Sequence, residues 1–353
     1  MFRKSLLLGG AMLLALAPQA PAQDFTYAGQ TVHMVVPYPP GGGTTLTGQF
    51  FARWVSEHLD GKPTMQVINI EGASGVIGSN EYELKYPHDG KALLTGAFSS
   101  TTPYIFKEQG VLYDLRKLEA LAAIPAGNVV YVRKDTGVSS AADLKNLKEP
   151  LFNAAARPSG GDLIRVFSFE LLDIPVTTNY GYDGRSAARI AFEQGEATID
   201  VQTAPSYLSN VVPLVEEGTA APLYTLGIIE DGEVARDPAF PDLPHTGEVY
   251  EMLHGQKPAG PEWEAYKFLV AAGISGSKIL WVHADAPEAA LVKLRAAVDA
   301  MSEDPRMIEE GKDELGGYAI LRGQPLKRMV DVMLNPSDEI IALLNDFIAR
   351  QNR

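Results

Sequence analysis

The feature that most constrains this chain is its alternation of short β-type apolar runs with amphipathic helical stretches. Runs at 31–37, 65–70, 92–95, 128–133, 176–180, 199–202, 223–229 and 279–282 have the length and composition of strands. Between them apolar residues recur at helical spacing. Leu46, Phe50, Trp54 and Val55 share one face, as do Leu163, Val166, Phe167 and Leu171. Strands that alternate with helices imply mostly parallel sheets, because a parallel pair needs a crossover element. From Pro287 onward the pattern is helical. Leu291, Leu294, Val298 and Met301 line one side, and Asp304-Pro305 and Gly316-Gly317 interrupt the run. Helices near 326–334 and 337–350 close the chain, while 230–244 reads as a long loop.

The start of the chain reads as an export signal. Arg3 and Lys4 precede an apolar run at 6–16, and Ala20-Pro21-Ala22 supplies the small-x-small pattern of a cleavage site near Ala22-Gln23. The run is too short to span a bilayer. The chain has no cysteine, so a lipid-anchored thiol, a disulfide and a thiolate metal site are all excluded. About 330 residues would remain after cleavage, more than one hydrophobic core usually serves, so two domains are expected. The formal charge is −14 and becomes two more negative without Arg3 and Lys4. That balance disfavours nucleic acid and anionic membranes as partners. It leaves a small anionic ligand open, because screening makes the local donors of a cleft decisive.

Three strand-to-helix turns are rich in glycine and small hydroxyl residues. The first, 36–45, reads VPYPPGGGTT. Its glycines let backbone approach a guest closely, and Thr44 and Thr45 fall at a helix start, where free amides favour an anion. The second, 71–78, reads EGASGVIG, with the spacing G-x-x-G-x-x-G rather than the dinucleotide-binding G-x-G-x-x-G. The third, 157–162, reads RPSGGD; Ser159 and the amides of Gly160 and Gly161 can hold a carboxylate, with Asp162 expected as an N-cap. A fourth loop, 180–186, reads YGYDGRS. Any one such turn is how an α/β protein reverses direction. Several together, at the strand ends where open sheets bind ligands, point to a binding cleft.

The ordered set of motifs resembles the receptors of tripartite tricarboxylate transporters, the Bug (TctC) family. Residues 36–45 are similar to that family's VPYPPGGxxD opening. Residues 72–78, followed by Tyr86-Pro87-His88-Asp89-Gly90 and Leu93-Leu94, resemble its GAGGxIG…APDGYTLL stretch. Ser159-Gly160-Gly161, Tyr182-Asp183-Gly184, residues 195–200, residues 240–244 and Ala286-Pro287 follow in matching order. The resemblance implies an α/β, two-lobed, type II periplasmic-binding-protein fold with the ligand between the lobes. Residues 23–126 and 250–353 would form lobe 1 and residues 127–249 lobe 2, after a signal at 1–22. It implies a periplasmic receptor that hands a small organic carboxylate to membrane transporter subunits. Such a receptor would be a monomer without enzymatic activity, cofactor or metal. The implied ligand contacts are Tyr38, Pro40, Gly42, Gly43, Thr44, Thr45, Ser74, Gly75, Ser99 and Ser100 from lobe 1. Arg157, Ser159, Gly160, Gly161, Tyr182 and Asp183 would face them from lobe 2.

Two departures bear on the ligand. Thr45 stands where the family often has Asp, which disfavours an amino acid with its ammonium group. Arg157 and Arg185 flank the second-lobe loops, and either guanidinium could clamp a distal carboxylate of a di- or tricarboxylate in bidentate fashion. Tyr38, Phe98, Tyr104, Tyr180 and Tyr182 offer stacking surfaces for an aromatic acid. The alternatives are an extracytoplasmic sensor for a membrane kinase and a periplasmic hydrolase. The six scattered histidines form no paired metal spacing, and neither G-x-S-x-G nor H-E-x-x-H occurs.

Overall fold

The structure, a computed structural model, describes residues 25–41, 43–182 and 184–352. The expected export signal lies outside them, as do Gly42 and Asp183, and the side chain of Ser74 is not described.

Two five-stranded sheets organise the chain. The first part contains β1 (Thr31–Val36), α1 (Gly43–His58), β2 (Thr64–Asn69), α2 (Val76–Lys85), β3 (Ala92–Ala97), α3 (Phe98–Ile105) and β4 (Leu118–Ile124). The middle contains β5 (Asn128–Arg133), β6 (Leu151–Ala154), α4 (Gly161–Leu171), β7 (Val176–Asn179), α5 (Gly184–Gln194) and β8 (Ile199–Thr203). It continues with α6 (Ala204–Asn210), α7 (Val212–Glu216) and β9 (Ala220–Thr225). A hairpin of β10 (Ile228–Glu230) and β11 (Glu233–Ala235) comes next, followed by α8 (Thr246–His254), α9 (Pro261–Val270) and β12 (Lys278–His283). The chain closes with α10 (Glu288–Glu303), α11 (Pro305–Glu314), α12 (Gly323–Leu334) and α13 (Asp338–Gln351).

The strand orders are β2-β1-β3-β12-β4 and β7-β6-β8-β5-β9. Both sheets follow one plan. In each, a single strand runs antiparallel to both its neighbours, β12 in the first and β5 in the second. That strand is the one the chain lays down just after crossing from the other side. The first sheet is covered on both faces, so all six residues of β3 are buried and read as one apolar run. Phe50, Phe51 and Trp54 of α1 share a core with Leu291, Leu294 and Val298 of α10. In the second sheet, Tyr131 meets Phe192 edge-on, with ring centroids 4.7 Å apart.

Three local expectations change, and one strand carried no signal in the sequence. Leu46 is exposed although it repeats at helical spacing with Phe50 and Trp54; in the first turns of α1 it is Thr44, Thr45 and Thr47 that are buried. The stretch LEALAAI, whose residues favour helix, is the strand β4, paired by β12 on one side and bridged to Leu321 at Ala123 on the other. The loop at 230–244 contains the second half of the β10–β11 hairpin. Asp162 is no N-cap: Gly160 holds that position in α4 without a side-chain bond.

The helices after β9 divide their contacts between the two sheets. α9 contacts α4, β10 and β11, and α8 contacts β9. α13 packs on α9, sets Phe347 5.2 Å from Phe167, and pairs Arg350 with Glu170 at 2.7 Å. We therefore propose that lobe 2 takes in α8, α9 and α13 as well as residues 127–249. The crossing segments bind one another: the Ala126 amide donates to the Ile274 carbonyl at 3.0 Å, and the Leu226 amide to the Asn128 carbonyl at 3.0 Å.

Candidate functional site

The turns that leave the first sheet are locked together behind its C-terminal edge. Tyr38, in the β1–α1 turn, is partly buried, with its hydroxyl 2.8 Å from the Ser99 hydroxyl at the start of α3. Burial raises its pKa, while hydrogen bonds with Ser100 and Ser99 act in the other direction, so the phenol is neutral. Gly75 is at φ +97°, and a Cβ there would collide with the Tyr38 ring and hydroxyl. That close approach is why the second motif needs its glycine. Ser100 closes the first turn of α3, accepting from the Ala97 amide at 3.2 Å and donating to the Ala97 carbonyl at 2.9 Å.

Thr45 is occupied in the same way. Its hydroxyl donates to the Pro39 carbonyl at 2.8 Å and accepts from the Asn69 amide group at 2.8 Å, and Asn69 also donates to the Tyr38 carbonyl at 2.8 Å. Thr45 thus fixes the turn at 37–45 to β2.

On the second sheet the turn at 155–161 is held by a buried network of charges. The Asp162 carboxylate accepts from the Ala156 amide at 2.8 Å and lies 3.2 Å from Arg165 and 3.3 Å from Arg185. Burial pushes the Asp162 pKa up, but Arg165, Arg185 and the Ala156 and Arg157 amides outweigh it and hold the group below the usual carboxylate range. Arg185 also pairs with Asp200 and donates to the Ala154 carbonyl at 3.1 Å. Tyr131 donates to Asp200, and Gln202 donates to the same carboxylate at 2.9 Å. Two buried carboxylates and two guanidiniums therefore match one another. Arg185 is committed to this network and does not line the cleft cavity.

Between the two sets of turns lies a cavity of about 260 Å³. Ala73, Ser99, Thr102, Pro103 and Glu108 line it from the first sheet's side, and Arg157, Ser159 and Gly160 from the second. Of the sequence-predicted residues, Ser99, Arg157, Ser159 and Gly160 converge here, with Tyr38, Gly75 and Ser100 directly behind the wall. Pro40, Gly43, Thr44 and Thr45 stand outside it at the start of α1, and Gly161 turns its carbonyl to Arg165. Tyr182 directs its hydroxyl to Glu196 at 3.3 Å. Gly42 and Asp183 lie outside the described residues.

Sequence reading missed Ala73, Thr102, Pro103 and Glu108. The first three sit within or beside turns already singled out. Glu108 comes from an aperiodic loop that carries no signal. The cavity offers hydroxyls, a guanidinium and the amide end of α3 on its walls, and it is smaller than the roughly 300–1,000 Å³ of drug-sized sites, a size suited to a metabolite. Among the described residues no group of three or more His, Asp or Glu could hold a metal ion. A larger cavity of about 390 Å³, between the β10–β11 hairpin and α12, contains none of the predicted residues.

No family model matches the chain. Protein BugT of Bordetella pertussis is 24% identical over 250 residues, 67% of this chain and 72% of that protein. Among solved structures, a TctC solute binding protein from Polaromonas superposes with a TM-score of 0.66 at 17% identity, covering 92% of this chain and 100% of the other. An R. palustris protein solved with adipate gives 0.60 at 20% identity, covering 92% and 97%. The periplasmic binding protein BugD gives 0.57 at 19%, covering 92% and 98%. The two-lobed periplasmic-binding-protein fold expected from the motifs is therefore present. Similarity in sequence to a Bug protein and in fold to Bug and TctC proteins agrees with the motif resemblance.

Proposed function

We propose that this protein is an exported receptor that captures a small organic carboxylate in the periplasm and delivers it to a tripartite tricarboxylate-type transporter. The observation that carries the reading is the cavity of about 260 Å³ walled by Ser99 on one side and Arg157, Ser159 and Gly160 on the other. Hydroxyls, amides and a guanidinium from opposite lobes suit an anion, and lobe closure would bring them onto it together. A fold neighbour solved with adipate supports a carboxylate as the guest. Among the described residues no helix is long and apolar enough to cross a membrane, so transport needs membrane partners. The role is binding, not catalysis.

The energetics suffice. Hydrogen bonds to a charged group contribute roughly 1.5–3 kcal/mol each. Four to six of them, less ordering and desolvation, leave about 8 kcal/mol, a micromolar dissociation constant. The test is a thermal-shift screen of the purified mature protein against mono-, di- and tricarboxylates, aromatic acids, sugars and nucleotides. At 100 times its dissociation constant a ligand stabilises the protein by about 2.7 kcal/mol. Hits confined to carboxylates support the proposal, and a response to sugars alone sinks it.

A further inference from the structure

Lys278 opens β12, the strand that brings the chain back to the first sheet. Its register partners are Ala97 and Ile124, the last residues of β3 and β4. Ala97 precedes α3, and Ser99, two residues on, lines the interlobe cavity. Lys278 thus stands at the cleft edge of the sheet. Strand alternation puts its side chain on the same face as Leu280 and Val282, whose core is shared with α1. That is the helix whose first turn carries Gly43, Thr44 and Thr45.

The ammonium there is without compensation. Among the described residues Lys278 has no hydrogen-bond or ion-pair partner. Burial is the only influence acting on it and pushes its pKa down to about 8. The other enclosed cations show the contrast, since Arg165 and Arg185 are matched by Asp162 and Asp200. Lys278 is partly exposed, so an anion in the cleft can reach it, and cations with perturbed titration concentrate at functional sites.

We propose that Lys278 is the first lobe's cationic contact for the ligand, and that with Arg157 of the second lobe it selects a dicarboxylate, one carboxylate to each lobe. This rests on the carboxylate-receptor reading and extends it. Ser99, which follows β3, lines the 260 Å³ cavity, and Lys278 stands at the same edge on the neighbouring strand, β12.

The test is calorimetric titration of a homologous series of α,ω-dicarboxylates, with monocarboxylates of matching length, into the wild-type mature protein and the variants Lys278→Met and Lys278→Arg. Wild type is expected to prefer the dicarboxylate. Lys278→Met should weaken that ligand about tenfold or more and abolish the preference, while Lys278→Arg retains part of it. The ligand-free Met variant should melt no lower than wild type, because it loses an unmatched charge. Independently of folding, lysine-directed labelling read by mass spectrometry should be slowed at Lys278 by saturating dicarboxylate. Unchanged affinity and preference in Lys278→Met, or labelling indifferent to ligand, overturns the inference while the receptor reading stands. Failure of wild type to bind any carboxylate overturns both, and shows in the wild-type arm alone.

Discussion

The hydroxyl of Tyr318 lies 2.9 and 2.8 Å from the two carboxylate oxygens of Asp237, and both groups close over Gly127, in the segment joining β4 to β5. Three distant parts of the chain meet where one lobe passes into the other. Burial raises the pKa of Asp237, with the Ala239 amide and the Tyr318 hydroxyl pulling the other way, so the phenol is a principal partner of this carboxyl group.

A side chain at residue 127 would overlap both groups. Gly127→Ala is expected to cost on the order of 3 kcal/mol through forced displacement at the crossing. Tyr318→Phe should cost about 1–3 kcal/mol by stranding Asp237. Urea unfolding of both variants checks this, and wild-type stability in Gly127→Ala would show the crossing to be plastic.

The site residues separate into those that face the cavity and those that hold its walls. Ser159→Ala should weaken carboxylate binding by about tenfold, from loss of a hydrogen bond to a charged group, with little change in melting temperature. Thr45→Val should do the reverse, lowering stability by about 1 kcal/mol because Thr45 ties Pro39 to Asn69. Calorimetry and thermal melts on the same two variants decide the assignment.

Glu108 places a negative charge on the cavity wall opposite Arg157. Removing it in Glu108→Gln should tighten dianion binding by roughly three- to tenfold at low salt, the range expected for like charges across a small, partly wet site. The gain should shrink as ionic strength rises. Weaker binding in Glu108→Gln would mean the carboxylate accepts a hydrogen bond from the guest instead.

His283 is buried in a stack, 4.4 Å from Tyr82 and 3.6 Å from His88 by ring centroids, with Glu83 at 3.7 Å and Asp285 bonded to His88. Burial, then the charge of His88, pushes its pKa down to about 4, with Asp285 acting in the other direction. The unfolded chain takes up this proton near pH 6.5 and the folded one only near 4. Stability from this residue is therefore complete above about pH 6.5, is lost as pH falls toward 4, and changes no further below that. The loss reaches up to about 3 kcal/mol. Stability measured from pH 7 to 4 should fall less steeply in His283→Phe than in wild type.

The sequence made the fold legible wherever burial was two-sided or periodic. The runs at 31–37, 128–133 and 279–282 became β1, β5 and β12 because β-branched, apolar strands sit between covering helices. β4 escaped because its alanines and leucines favour helix, and only pairing with a strand some 150 residues away makes it extended. At the site, glycine and serine turns revealed which loops meet, since a turn's composition is local. They did not reveal which side chains reach the cavity. Arg157 and Arg185 look alike in sequence, yet Arg185 is claimed by Asp162 and Asp200, partners set by tertiary packing alone.

The two ends of the described chain pack against elements of different sheets. Phe25 packs into the core beneath the first sheet, whereas α13 seats Phe347 against Phe167 of the second. A donor–acceptor fluorophore pair attached near residues 25 and 352 would therefore straddle the cleft, and energy transfer between them would report each capture event without any label inside the binding site.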